Sequence, residues 1–385
     1  MAPLSSTTTR MVLLIGNYAP DQQQSMQRFS TMMLQGLAAA GIPAELIAPE
    51  PFFGNFKGAG AFAAKWLGYV DKFVLFPRRL KQRVATGASI VHICDHSNAM
   101  YVADTQPLPT VVTCHDLLAV RGGLGEETDC PASFTGRLLL RWILRGLRRA
   151  TSVVCVSRAT LNDADRLLRV SDRRPQLSVI TLGLNYPYRK LSADETSARL
   201  AAIPELASGK PFVLHVGSNL RRKNRDGVLR IFAKAKDQWK GLLVMAGDAM
   251  TPELQSLGRE LGISERIVEV KSPDSPVLEA LYNRATALLF PSRFEGFGWP
   301  IAEAQACGCP VICSDRAPMP EVAGDAGLIH PLEDEGAFAA DIVKLSDPAE
   351  RSVWSEKSLR NAERFSTERL IGEYVEIYRK LAPQL

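Results

Sequence analysis

An α/β fold of two parallel-sheet domains is what this chain predicts, on three observations. Short apolar, β-rich runs alternate with amphipathic helical stretches from end to end, the pattern of parallel strands joined by crossover helices. The 385 residues leave room for two domains of ordinary size. A polar, proline-containing break at 184–210 follows the last strand of the first series. That series comprises Met11–Ile15, Ala44–Ile47, Ile90–Cys94, Thr110–Cys114, Ser152–Val156 and Leu177–Thr181, with helices such as Met26–Ala40 and Thr160–Arg169 in the gaps. The second comprises Phe212–Val216, Leu242–Ala246, Ile267–Val270, Ala287–Phe290, Val311–Cys313 and Gly327–Ile329. The boundary is placed between residues 190 and 191.

Composition narrows the class. Hydrophobic residues make up 46% and charged residues 23%, as in soluble globular proteins. No apolar run has bilayer-crossing length, and Met1–Arg10 lacks a signal-peptide core, so a cytoplasmic location is expected. The 7 cysteines include Cys94, Cys114, Cys155 and Cys313 in or beside strands, the usage of a reducing compartment. Cys307 and Cys309 have no second pair at zinc spacing and read as packing. Ser5–Thr9 reads as a disordered end. Basic residues exceed acidic ones only slightly, 46 to 41, but they cluster. Lys65–Arg83 interleaves basic and aromatic residues; contact with an anionic membrane or an acidic acceptor stands open beside a solvated face. Arg137–Arg149 has five arginines and no acid, and reads as a surface helix packing its Leu138/Trp142 side on a sheet. No nucleic-acid motif accompanies the charge.

The most informative stretch runs from Phe290 to Asp315. A strand enters a glycine-punctuated turn, a helix opens at Pro300, and a second strand follows Cys309. Glu295 and Glu303 stand with seven residues between them, one in the turn and one a turn into the helix. The backbone amides of Gly296, Phe297 and Gly298 lie between. Carboxylates accept from hydroxyls and bare amides donate to oxygens, which suits a polyhydroxylated, anionic ligand. The plainer alternative is a turn cap (Glu295) and a solvated helix face (Glu303).

This stretch resembles the nucleotide-sugar motif of the retaining glycosyltransferases of family four. The resemblance implies the GT-B fold, two Rossmann-like parallel-sheet domains facing a central cleft. It implies an acceptor-side domain over 1–190, a nucleotide-sugar-binding domain over 191–364, and a last helix, 365–385, crossing back to the first. By the same resemblance Glu295 faces the donor sugar and Glu303 holds the nucleotide ribose.

After strand Phe212–Val216 comes Gly217-Ser218-Asn219-Leu220-Arg221-Arg222-Lys223-Asn224 and then a helix. A departing diphosphate needs cationic stabilisation, and Arg222 with Lys223 supplies it without a metal; the family carries such a pair here. Many relatives have arginine where this chain has Ser218, which leaves Arg221 or Arg225 as stand-ins. A basic helix flank without a ligand is the alternative. Asp163-Ala164-Asp165 has metal-motif spacing but falls inside a helix and reads as surface.

In the first half, His115 ends a strand at the place where the family's histidine contacts the donor sugar. Asp95-His96, after strand Ile90–Cys94, either faces the acceptor or is a hydrogen-bonded loop. In the loop Gly16–Arg28, Gln24 and Ser25 stand where relatives carry two glycines, so Gln22 to Ser25 are expected to meet the acceptor. Ser157 matches a family position or caps a helix.

Together these features imply a retaining hexosyltransferase. Its donor substrate is a nucleotide-diphosphate sugar, its acceptor a carbohydrate or lipid-linked hydroxyl, and no cofactor or metal is called for. The expected setting is surface polysaccharide or glycolipid synthesis, in the cytoplasm or at the inner face of a membrane. The rivals are a nucleotide-sugar epimerase, a sugar phosphorylase, and a non-catalytic sugar-nucleotide-binding scaffold. A nicotinamide dehydrogenase is disfavoured, because Gly16-Asn-Tyr-Ala-Pro-Asp21 replaces the glycine fingerprint.

Overall fold

The computed structural model describes residues 10–21, 23–54, 61–169, 174–207 and 209–385; Ser5–Thr9 and Gln22 lie outside them. The chain divides into two compact units, residues 1–185 with 367–385, and residues 186–366.

The first unit holds one parallel sheet built from β1 (Met11–Ile15), β2 (Ala44–Ile47), β3 (Ala88–Ile93), β4 (Thr110–Cys114), β5 (Ser152–Cys155) and β6 (Gln176–Val179). Their order is β2-β1-β3-β4-β5-β6. β3, β4 and β5 are almost continuously apolar and buried, as strands covered on both faces must be. The second unit repeats the plan with β7 (Phe212–Gly217), β8 (Leu242–Gly247), β9 (Ile267–Lys271), β10 (Ala287–Phe290), β11 (Val311–Ser314) and β12 (Gly327–His330), in the order β12-β11-β10-β7-β8-β9. Every strand expected from sequence is present, and ends differ by no more than two residues. In each sheet the chain reverses its direction of strand addition once. The reversals fall between β1 and β3 and between β7 and β10, and ligands of open parallel sheets bind at the carboxyl ends of strands there.

The units divide at 185/186 rather than 190/191 because residues just beyond Asn185 are tied into the second unit. Arg189 N donates to Glu279 Oε1 at 2.8 Å, and the Tyr188 ring meets Tyr282 edge-on at 5.8 Å. The terminal helix Thr367–Leu381 packs on the first unit. Tyr374 Oη is 2.6 Å from Thr113 Oγ1, and Tyr378 Oη is 2.6 Å from His92 Nδ1. His92 is fully buried, and burial lowers its pKa to about 3, so the ring is neutral.

Two expectations are corrected. Gln24 and Ser25 are not in a loop; they are exposed residues of the first turn of the helix Gln24–Ala39. The helix Phe134–Arg149 does not pack its Leu138/Trp142 side on the sheet. Its buried residues are Ile143, Leu144, Gly146 and Leu147, so the side bearing Leu138 and Trp142 faces outward. The stretch 65–83 is helical throughout, with a π-helical turn, Asp71–Leu75, between the helices Ala61–Val70 and Phe76–Ala85. Among the described residues, no helix is long and apolar enough to cross a membrane.

Candidate active site

In the second unit the reversal places the loop after β7 beside the loop after β10. Arg293 N donates to the Arg222 carbonyl at 2.7 Å. Asn224 takes a left-handed backbone (φ 53°, ψ 41°), which asparagine tolerates better than most residues. From there its Nδ2 donates to the Pro291 carbonyl at 3.0 Å, and its Oδ1 accepts from Arg293 Nη2 at 2.8 Å. These ties bring together three residues singled out from the sequence. Arg222 Nη1 donates to Glu295 Oε2 at 2.5 Å, and Lys223 Nζ donates to Glu295 Oε1 at 2.6 Å. Lys223 also lies over the Phe290 ring, 5.1 Å from its centre.

The Glu295 side chain is 7% exposed and that of Lys223 11%, so charge here is poorly screened. Burial alone would raise the Glu295 pKa, but Lys223 and then Arg222 hold it below the ordinary value. Burial lowers the Lys223 pKa, and the Glu295 charge offsets only part of that. Two basic side chains therefore share one carboxylate at the end of β7.

Gly298 adopts φ 94° and caps the helix Trp299–Ala306, a backbone that side-chain-bearing residues rarely take. Trp299 is the first helical residue, so Pro300 occupies the second position rather than the first. Phe297 is buried edge-on to Trp299 and Phe365; Gly296 precedes it in the turn. Glu303 is buried, and its Oε2 accepts from Tyr282 Oη at 2.9 Å. Tyr282 sits in the helix Ser275–Arg284. Burial and then the Glu303 charge raise the phenol's pKa well above its ordinary value, so it stays a donor.

Gly217 ends β7, and Ser218 follows it in the loop. Asn219 N donates to Asp248 Oδ2 at 2.9 Å. Arg225, offered by the sequence as a stand-in phosphate ligand, is buried and braces the loop: its Nη1 donates to the Asp248 carbonyl at 3.0 Å and to Asn219 Oδ1. Arg221 is exposed. His215, beneath the loop, is fully buried; its Nδ1–H donates to the Leu289 carbonyl at 3.0 Å, and burial lowers its pKa to about 3.

The first unit carries its own polar group at the β1/β3 reversal. Asn17 Nδ2 donates to Asp95 Oδ2 at 2.6 Å, and Ser97 N donates to Asp95 Oδ1 at 3.1 Å. His96 Nδ1 is 3.1 Å from Asp95 Oδ1. Burial works to raise the Asp95 pKa, but His96, His115 and Ser97 hold it below the usual carboxylate range. For His96 burial works downward, yet Asp95 and Asp116 raise its pKa. His115 is buried, edge-on to Phe29 at 4.9 Å, with Nε2–H donating to the Cys94 carbonyl at 3.0 Å. Burial lowers its pKa, and Asp95 offsets part of that.

Asn17 and Tyr282 were not found from sequence. Asn17 directly follows Gly16 at a strand end, which was a usable signal; nothing local marks Tyr282. Ser157 caps the helix Arg158–Leu168, accepting from Thr160 N at 3.1 Å. Asp163 in that helix pairs with Arg121 at 3.0 Å and Arg166 at 3.3 Å, and Asp165 pairs with Arg169. Among the described residues, no group of three or more His, Cys, Asp or Glu side chains is placed to hold a metal ion.

Comparison with known proteins agrees with the arrangement of strands and loops. Residues 198–360 match the glycosyl transferases group 1 family, and residues 26–184 match glycosyltransferase family 4. The chain is 29% identical over 242 residues to the O-antigen chain mannosyltransferase B of Escherichia coli, covering 58% of this chain and 62% of that protein. It is 27% identical over 292 residues to the D-inositol 3-phosphate glycosyltransferase of Rhodococcus opacus (strain B4), covering 72% of this chain and 63% of that one. The matches thus span less than two thirds of these relatives' lengths. In fold, the chain resembles sucrose-phosphate synthase from Thermosynechococcus elongatus, with TM-score 0.73, 21% identity, and coverage of 97% of this chain and 99% of that one.

Proposed function

Because the chain belongs to the family-four glycosyltransferases and has the GT-B fold, we propose that it is a retaining hexosyltransferase acting without a metal. It moves a sugar from a nucleotide-diphosphate donor to an acceptor hydroxyl in surface polysaccharide or glycolipid synthesis. The acceptor is a carbohydrate or lipid-linked sugar, and the setting is the cytoplasm at the inner face of a membrane. The observation that carries this is Glu295 gripped by Arg222 and Lys223 at the β7/β10 reversal.

In this reading the donor's diphosphate competes with Glu295 for the two cations. The released carboxylate accepts from hydroxyls of the sugar, and Glu303, steadied by Tyr282, accepts from the ribose. Amides of Gly296, Phe297 and Gly298 and the Gly217–Ser218 turn line the donor's approach. The bond from the anomeric carbon to the phosphate oxygen breaks as the acceptor oxygen bonds to the same face. The acceptor's proton passes to the departing diphosphate, whose growing charge Arg222 and Lys223 stabilise. His115 contacts the sugar, while Asp95, His96, Gln24 and Ser25 serve the acceptor.

The test is nucleotide release from a panel of UDP-, GDP- and ADP-sugars, with and without EDTA, and with the anomeric configuration of the product read by NMR. One donor should be hydrolysed slowly without acceptor, equally fast in EDTA, and transferred with retention. Inversion or EDTA inactivation would contradict the mechanism. Tight donor binding without turnover under any acceptor would leave a scaffold.

A further inference from the structure

We infer that a cavity in the second unit, at the opposite end of its sheet from Glu295, binds a small phosphate-bearing molecule. This goes beyond sugar transfer and does not rest on it. The cavity measures about 680 Å³, within the range of small-molecule sites. Its lining includes residues that lead into three neighbouring strands: Pro211 before β7, Ala285 and Thr286 before β10, and Pro310 before β11. It therefore lies at the amino ends of these strands, whereas Arg222, Lys223 and Glu295 follow the carboxyl ends of β7 and β10. The helices Ala193–Leu200, Ser275–Arg284 and Pro348–Ala362 supply further lining residues.

The charge around the cavity is one-sided. Lys190, Lys210, Arg284 and Arg351 line it, and among the described lining residues none is acidic. Three acids on the same helices are paired with cations that do not line it: Glu195 with Arg189, Glu279 with Arg199, and Glu350 with Lys344. Arg284 is anchored, its Nη2 donating to the Leu206 carbonyl at 2.5 Å and its guanidinium 5.9 Å from the centre of the Phe212 ring. Among the described residues, the Lys190 ammonium and the Arg351 guanidinium make no hydrogen bond or ion pair. Four like charges around one space repel one another until an anion enters. Phosphate oxygens match both the guanidinium fork and the ammonium. Ser197, Thr286, Ser352 and Ser355 add hydroxyls to the lining, which can donate to and accept from the rest of a polar ligand. An apolar ligand would leave the cations uncompensated.

The experiment is titration calorimetry of the full chain with glucose 6-phosphate, inorganic phosphate and glucose, without any sugar donor. The two phosphate probes should bind and glucose should not. Tighter binding of glucose 6-phosphate than of phosphate assigns the cavity to an organic phosphate, and the reverse assigns it to the free ion; either ranking supports the site. Losing a charge-assisted contact weakens binding about tenfold, so Lys190→Gln/Arg351→Gln should bind the phosphate probes about 100-fold more weakly. Arg222→Ala/Lys223→Ala, which removes the cations at the other end of the sheet, should bind them as the unsubstituted chain does. Failure of both phosphate probes to bind would overturn the inference. So would glucose binding as tightly as its phosphate, an unaffected Lys190/Arg351 variant, or loss of binding in the Arg222/Lys223 variant. Donor hydrolysis by the Lys190/Arg351 variant without added phosphate should match that of the unsubstituted chain. That readout reports folding and distinguishes failure here from failure of the transfer reading.

Discussion

Tyr282→Phe isolates the role of Glu303 with the loss of a single oxygen. In the structure the phenol donates to Glu303 Oε2 at 2.9 Å, and both residues are buried. A hydrogen bond to a charged group contributes about 1.5–3 kcal/mol, and removing the donor leaves a buried carboxylate oxygen poorly solvated. Unfolding free energy should therefore fall by about 2 kcal/mol. If Glu303 holds the ribose as proposed, donor binding should weaken as well, because the carboxylate is no longer held in one orientation. If about 1.4 kcal/mol of orientation is lost, donor Kd rises about tenfold, with little change in kcat. The assay is titration calorimetry with the active donor and with its 2′-deoxyribose analogue. The deoxy analogue has already lost a partner for Glu303, so it should suffer less, and the preference for ribose should shrink about tenfold. Equal weakening of both donors would mean general loosening. Unchanged binding of both would sink the assignment of Glu303 to the ribose.

The other predictions concern charge. Arg222→Ala and Lys223→Ala should each lower kcat about 100-fold, the scale on which a transition-state charge partner acts; a loss confined to KM would contradict that role. Glu295→Gln should bind donor more tightly yet turn over more slowly, because the cations lose their competitor and the sugar loses a contact; weaker binding by calorimetry would argue against the exchange. His92, with its pKa lowered to about 3 by burial, contributes stability that is present above the unfolded value of about 6.5 and lost as pH falls below it. The slope approaches about 1.4 kcal/mol per pH unit as pH falls well below that value. Urea unfolding from pH 7 to 5.5 should thus show a flatter pH slope for His92→Gln than for the unsubstituted chain; parallel slopes would rule this out.

The fold was legible because period and alternation speak for themselves. Twelve short apolar runs separated by helical stretches leave little choice but parallel sheets. Where local pattern was ambiguous, the reading failed. Leu138 and Trp142 are apolar and one turn apart, so packing was the natural inference. Yet Ile143, Leu144 and Leu147, on the other side of the same helix, hold the core. A helix apolar on two sides does not announce which one is buried, and only the tertiary arrangement decides. Gln24 and Ser25 were misplaced for a related reason. No Ser, Thr, Asp or Asn cap marks the helix start, since Gln23 occupies the cap position without a side-chain bond.

Within the site, sequence identified the charged residues but not their partners. Glu295 was assigned to sugar, and Arg222 with Lys223 to diphosphate, as separate contacts. They lie more than seventy residues apart in the chain, and what joins them is Asn224 bridging to Pro291 and Arg293, a contact invisible in one dimension. Their mutual grip gives the second unit a ready-made charge balance. A carboxylate buried beside two cations avoids the cost that the cations would incur alone, while an incoming diphosphate, with at least two negative charges, can displace it. On the proposed reading, the carboxylate that balances Arg222 and Lys223 is also the one that meets the sugar, which is why Glu295→Gln separates donor affinity from turnover.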